Sequence, residues 1–133
     1  MHMAWVRQVC GRLESRYRYS ATLVYNNFPW PDPRKVTDKQ KQAVEDAAQG
    51  VLDARAKHQT SASASGGGGG ATLADLYDPL TMPADLAKAH AGLDRAVDRC
   101  YRPQRFPDER RRFEDLFGLY EHLTAPLTAG GKR

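Results

Sequence analysis

This sequence predicts a mainly α fold, a short helix and strand segment followed by a small three-helix bundle that a flexible Gly/Ser linker interrupts. Three observations carry that expectation. Apolar residues recur at helical spacing over 37–57, 83–100 and 107–123, strand character is confined to one stretch near the N-terminus, and residues 59–72 contain no large apolar side chain. A chain of 133 residues, 41% hydrophobic and 27% charged, is one domain's worth of sequence with near-globular composition.

Taken in order, residues 3–10, Met-Ala-Trp-Val-Arg-Gln-Val-Cys, make a short helix that Gly11 ends, and Tyr17 to Asn26 follow as a Tyr/Val/Thr-rich strand. At Phe28-Pro29-Trp30-Pro31-Asp32-Pro33 the prolines remove backbone donors and disfavour helical geometry in each preceding residue, which predicts an extended connector. Thr37 is placed to cap a helix of roughly 37–57, on which Val44, Ala47, Val51 and Ala54 share a face with Ala48 and Leu52 beside them. Gln59 to Thr72 cannot repay its ordering entropy and is expected to be the linker. Pro83 suits the first turn of a helix that buries Leu86, Ala89 or His90, Leu93, Val97 and Cys100. Pro103 and Pro107 break and restart the chain. A last helix over 107–123 aligns Phe113, Leu116, Phe117, Tyr120 and Leu123, with Asp108 and Glu109 at its positive N-terminal end.

The formal charge of +4 is unevenly spread. Residues 1–35 hold Arg7, Arg12, Arg16, Arg18, Arg34 and Lys35 against Glu14 and Asp32, while the rest of the chain is balanced. A basic front favours a polyanion, and by charge alone that is either nucleic acid or an acidic protein surface. The two cysteines, Cys10 and Cys100, form no CxxC pair, so a disulfide framework or zinc site is not expected and a reducing cytoplasm fits. No apolar run approaches the ~18 residues of a membrane span, and Met1-His2-Met3-Ala4-Trp5 is not followed by a signal-peptide core. A soluble protein without a membrane partner is expected.

Chemistry-bearing motifs are sparse. The glycine run lacks a preceding strand and a following Lys-Ser/Thr, so it reads as linker rather than phosphate loop. His2, His58, His90 and His122 have no metal-ligand spacing. Arg110-Arg111-Arg112 is offset by Asp108, Glu109, Glu114 and Asp115 and reads as a solvated helix face. Asn27-Phe28-Pro29-Trp30 approaches the Asn/Asp-Pro-Pro-aromatic loop of DNA amino-methyltransferases, but Phe28 replaces the first proline and the residues ahead cannot form a βαβ cofactor unit. Apolar docking of Phe28 and Trp30 against the following helices is expected instead. No catalytic constellation and no cofactor or metal site is predicted in this chain.

Longer strings carry a resemblance. His2-Met3-Ala4-Trp5-Val6-Arg7, Gly11-Arg12-Leu13-Glu14-Ser15, Tyr17-Arg18-Tyr19-Ser20, Val24-Tyr25-Asn26-Asn27-Phe28-Pro29-Trp30-Pro31 and Leu73-Ala74-Asp75-Leu76-Tyr77-Asp78-Pro79-Leu80-Thr81-Met82-Pro83 resemble the C-terminal end of the MmeI-like (type IIL) DNA N6-adenine methyltransferases. The similarity continues through Leu86-Ala87-Lys88-Ala89-His90, Leu93-Asp94-Arg95-Ala96-Val97-Asp98 and Leu116-Phe117-Gly118-Leu119-Tyr120-Glu121. In that family one polypeptide carries a nuclease, an S-adenosylmethionine-dependent methyltransferase, a target recognition domain and a C-terminal helical domain. The resemblance implies that residues 1–35 end the target recognition domain and that 36–133 are the helical domain. It also implies double-stranded DNA and the parent's methyltransferase domain as partners, and S-adenosylmethionine as a cofactor of the parent. The implied function is DNA recognition and scaffolding for a restriction-modification methyltransferase, without catalysis by this portion. The alternative is a small helical protein-interaction module.

Within the implied recognition segment, Glu14 and Arg16 stand two apart, and in extended backbone they face one side. Glu accepts from cytosine N4 and Arg donates to guanine O6 and N7, so the pair is a candidate reader of one C·G pair; the bland alternative is a surface ion pair. Arg7, Arg12 and Arg18 are candidate phosphate contacts that fix register.

Overall fold

The computed structural model describes residues 1–64 and 70–129. The architecture is mainly α, as expected, with helices α1 (His2–Val9), α2 (Asp38–Ala64), α3 (Leu73–Leu76), α4 (Ala84–Tyr101) and α5 (Glu109–Ala129), and one hairpin of β1 (Gly11–Leu13) and β2 (Arg16–Arg18). The chain divides into two compact units, Met1–Pro33 with Gln104–Arg133, and Arg34–Pro103.

In the first unit α1 ends at Val9, one residue short of the expected helix over 3–10, because Cys10 already takes extended backbone and Gly11 opens β1 instead of ending the helix. The expected strand over 17–26 is only partly strand. β2 stops at Arg18, and Ala21–Tyr25 form a π-helical turn. Side-chain caps and burial override the β propensity of this stretch. Ser20 Oγ accepts from Leu23 N at 3.4 Å, Asn27 Nδ2 donates to the carbonyls of Thr22 (3.2 Å) and Leu23 (3.3 Å), and Val24 is fully buried. The core gathers Ala4, Trp5, Val6, Val24, Phe28, Phe106 and Leu116. Trp5 is its hub, 5.5 Å from the Tyr120 ring, 6.2 Å from Phe113 and 6.4 Å from Phe28 between centroids, so α5 packs on α1. The predicted stripe on α5 is correspondingly turned: Leu116 is completely buried, whereas Phe117 is 44% exposed and Leu123 also faces solvent.

In the second unit α2 and α4 run antiparallel, because Gln40 near the start of α2 donates to the Arg99 carbonyl at 2.7 Å, while Lys57 and His58 near its other end reach Asp85 at the start of α4. Thr37 caps α2 as the sequence predicts. Its Oγ1 accepts from Gln40 N at 3.2 Å while Gln40 Oε1 accepts from Thr37 N at 2.9 Å, a reciprocal capping box. Pro83 sits at the N-cap of α4. The core is Val51, Leu76 and Leu86, with Ala54, Met82, Ala89 and Leu93 packed around them.

The expected linker over 59–72 needs correction at both ends. α2 continues through Ala64, and Thr72 caps α3 in a second box with Asp75, so local hydrogen bonding orders residues that no apolar side chain would anchor. Residues 65–69 of that expectation lie outside the described residues.

Candidate nucleic-acid interface

Between α1 and the π-helical turn, residues 11–19 are all exposed, in the most basic part of the sequence. Glu14 and Ser15 connect the strands as a two-residue loop, and the pairing is Leu13↔Arg16, Arg12↔Tyr17 and Gly11↔Arg18. Glu14 has φ = 57° and, among the described residues, is the non-glycine residue with positive φ. Positive φ at the first of two central residues is the sign pattern of a type II′ turn, which ordinarily takes glycine there.

This register corrects the geometric premise for Glu14 and Arg16. Glu14 is in the turn, not in extended backbone, so strand alternation does not align it with Arg16. Directly opposed residues share a face, and for Arg16 that partner is Leu13, which is 67% exposed. Arg18 lies on the same face and Arg12 on the other, where its guanidinium carbon lies over the Tyr17 ring, 4.6 Å from its centre. Glu14 and Arg16 are nonetheless brought together at the hairpin tip, flanking Ser15. Among the described residues no ion pair joins them, and none engages Arg12 or Arg18. Arg7 differs, because from α1 its side chain pairs with Glu109 at the start of α5.

Sequence reasoning missed Tyr17 and Leu13 as members of this surface. A hairpin signal was absent, since Glu-Ser is not among the dipeptides that favour tight turns, and only the register reveals what faces what.

The near-methyltransferase string is structural. Asn27 spends its amide on the π-helical turn, and Phe28 and Pro29 are buried. Phe28 docks on His2 (4.7 Å) and Trp5 of the preceding helix, contrary to the expected docking on following ones. Trp30 is 54% exposed rather than docked, edge-on to Phe28 and Tyr25 and stacked 6.5 Å from His2. Exposed Tyr19, next to β2, and exposed Trp30 both meet His2, and exposed Tyr25 lies edge-on to Trp30.

Elsewhere the titratable groups serve structure. Tyr77 and His90 share a 2.7 Å hydrogen bond, and His58 (2.7 Å) and Lys57 (3.1 Å) hold the Asp85 carboxyl down to about 2. Burial pushes the Tyr101 hydroxyl well above its usual range. Among the described residues no His/Cys/Asp/Glu group has the geometry of a metal site, and no helix is long and apolar enough to cross a membrane.

Known proteins match this geometry and sequence. The description "MmeI, target recognition domain" fits residues 1–32, and "MmeI, C-terminal domain" fits residues 36–128. DNA methyltransferase A of Bacillus subtilis (strain 168) is 42% identical over 124 residues, a match that takes in 93% of this chain and 12% of that protein. The solved structure of the type IIL restriction-modification enzyme MmeI in complex with DNA is 46% identical with a TM-score of 0.78, covering 93% of this chain and 15% of that one. This chain therefore spans a small part of the length of either relative. With adjoining matches to two MmeI domains over almost all its residues and a shared fold, it belongs to the MmeI family.

Proposed function

We propose that this chain is the DNA-recognition and scaffolding end of an S-adenosylmethionine-dependent DNA adenine methyltransferase of a restriction-modification system, and that it performs no chemistry itself. One observation carries the reading: the segment matching a target recognition domain presents an exposed hairpin whose Arg12, Arg16 and Arg18 have no carboxylate partner among the described residues. A two-stranded ribbon fits the DNA major groove, and unpaired arginines supply the donors that phosphates and guanine accept from. In this reading the tip residues Glu14 and Arg16 read a base pair, Arg12 and Arg18 hold phosphates, and Arg7, already paired with Glu109, contributes to DNA only by exchanging that partner. The second unit, built on α2 and α4, is the scaffold that the parent's methyltransferase domain rests on.

S-adenosylmethionine is the methyl donor of the parent in this reading. The residues present do not fit it: the sheet among the described residues is an antiparallel pair of three-residue strands, without the parallel βαβ unit and glycine-rich turn that would cradle the cofactor. Its binding residues belong to the part of the parent outside this chain.

The test is to replace Arg12, Arg16 and Arg18 together by Gln in the complete enzyme and measure DNA binding and thermal midpoint. Loss of binding with an unchanged midpoint supports the interface. Retained binding removes the hairpin from it.

A further inference from the structure

We propose that Tyr17 is a positioning residue that holds Arg12 ready for a DNA phosphate, on the hairpin face opposite Arg16 and Arg18. The inference rests on the DNA-binding reading above and goes beyond it by dividing the hairpin into two working faces and giving an aromatic residue a role.

Register supplies the first support. In a two-residue hairpin the residues closing the loop, Leu13 and Arg16, are a hydrogen-bonded pair, so Arg12 and Tyr17 form the next, non-hydrogen-bonded pair, where opposed side chains approach most closely. The second support is the contact itself. The Arg12 guanidinium carbon lies 4.6 Å from the Tyr17 ring centre, in the range of a cation–π stack. A cation–π contact uses the ring face and accepts none of the guanidinium's N–H bonds into a carboxylate, so those donors remain for a phosphate to accept in the two-pronged manner of arginine. An exposed arginine otherwise spends conformational freedom when it binds, and the ring removes part of that loss in advance.

The third support is what the pair does not touch. Neither residue has another partner among the described residues, and both side chains are exposed, so the stack buries no core and bridges no elements beyond its own hairpin. Arg16 and Arg18, which have no such ring contact among the described residues, share the other face with Leu13. One face is thus preordered and the other adaptable. A sequence-independent phosphate grip suits the ordered face, and base reading suits the face carrying Arg16.

The experiment measures binding of the full 133-residue chain to a 20-base-pair duplex across a range of salt, for the wild type, Arg12→Gln, Tyr17→Val, Tyr17→Phe and the Arg12→Gln/Tyr17→Val double variant. Valine keeps strand propensity while removing the ring, and phenylalanine keeps the ring. The expected result is that Arg12→Gln lowers the slope of log K against log salt by about 0.9, one phosphate's worth. Tyr17→Val weakens binding, Tyr17→Phe restores it, and the double variant binds like Arg12→Gln alone. In parallel, the Arg12 side-chain resonances are ring-shifted in the wild type and in Tyr17→Phe but not in Tyr17→Val. An unchanged slope in Arg12→Gln overturns the phosphate role. A further loss on adding Tyr17→Val to Arg12→Gln shows that Tyr17 touches DNA by itself and overturns the positioning role, as do ring shifts that persist without the ring. Absence of any DNA binding by the wild type overturns the DNA reading and this proposal together, whereas the preceding outcomes leave the former standing.

Discussion

Glu14 occupies left-handed backbone, φ = 57°, at a position where glycine would sit without strain. An L-residue there costs about 1–2 kcal/mol, and such strain is retained where a side chain is wanted at that spot. The proposed base-reading role gives Glu14 that purpose. In the complete enzyme, Glu14→Lys with Arg16→Asp exchanges acceptor and donor at the tip without relieving the turn, since lysine is as strained as glutamate. Methylation is expected to persist but to move to sites where the recognised C·G pair is inverted, a discrimination of about 1–3 kcal/mol. Sequencing methylated DNA from cells carrying the variant decides this, and unchanged specificity removes both residues from base reading.

Helix α5 shows how far periodicity reaches at the scale of an element. Spacing identifies an apolar stripe but not its centre, and burial places that centre on Leu116, at 0% exposure, with Phe117 at its rim. Leu116→Ala is therefore expected to cost about 2–5 kcal/mol and Phe117→Ala clearly less, measured by denaturant unfolding. Equal costs would place Phe117 back in the core. Between α2 and α4, the Asp85 carboxyl is held down to about 2 from 3.8, mainly by the His58 hydrogen bond and then by Lys57. A carboxyl lowered in the folded state stabilises above its unfolded value and loses that contribution as pH falls through its folded value. The thermal midpoint of the wild type should accordingly exceed that of Asp85→Asn at about pH 5, with the gap closing between about pH 4 and pH 2. A gap that persists at pH 2 would show that the carboxylate's charge is not what links the helices.

For the molecule as a whole, the unit with its core around Trp5 carries an exposed hairpin rich in arginine, and the second unit has its own core around Leu86. Among the described residues the sheet is one antiparallel pair, without the strand-to-helix turn that a methyl-donor cofactor needs. Calorimetric titration of the 133-residue chain with S-adenosylmethionine should give no saturable heat, and the chain should transfer no methyl group to DNA. Saturable binding would reverse the assignment of Asn27 to Trp30 as structural.

The cap at Thr37, the start of α4 at Pro83 and the apolar spacing of all three long helices were legible from the residues themselves, because capping, proline geometry and helical period are local effects. The family was legible from long strings. Tertiary structure decided what local rules cannot. Burial of Val24 and the Asn27 amide turned an expected strand into a π-helical turn, and a capping box at Thr72 ordered the end of an expected linker. Packing of Trp5 against α5 chose which side of the apolar stripe faces inward. Above all, strand register set Arg12 against Tyr17 and Arg16 against Leu13. Side-chain alternation has a period of two, so one residue entering a turn reassigns every partner across the hairpin, and no reading of spacing along a single strand contains that information.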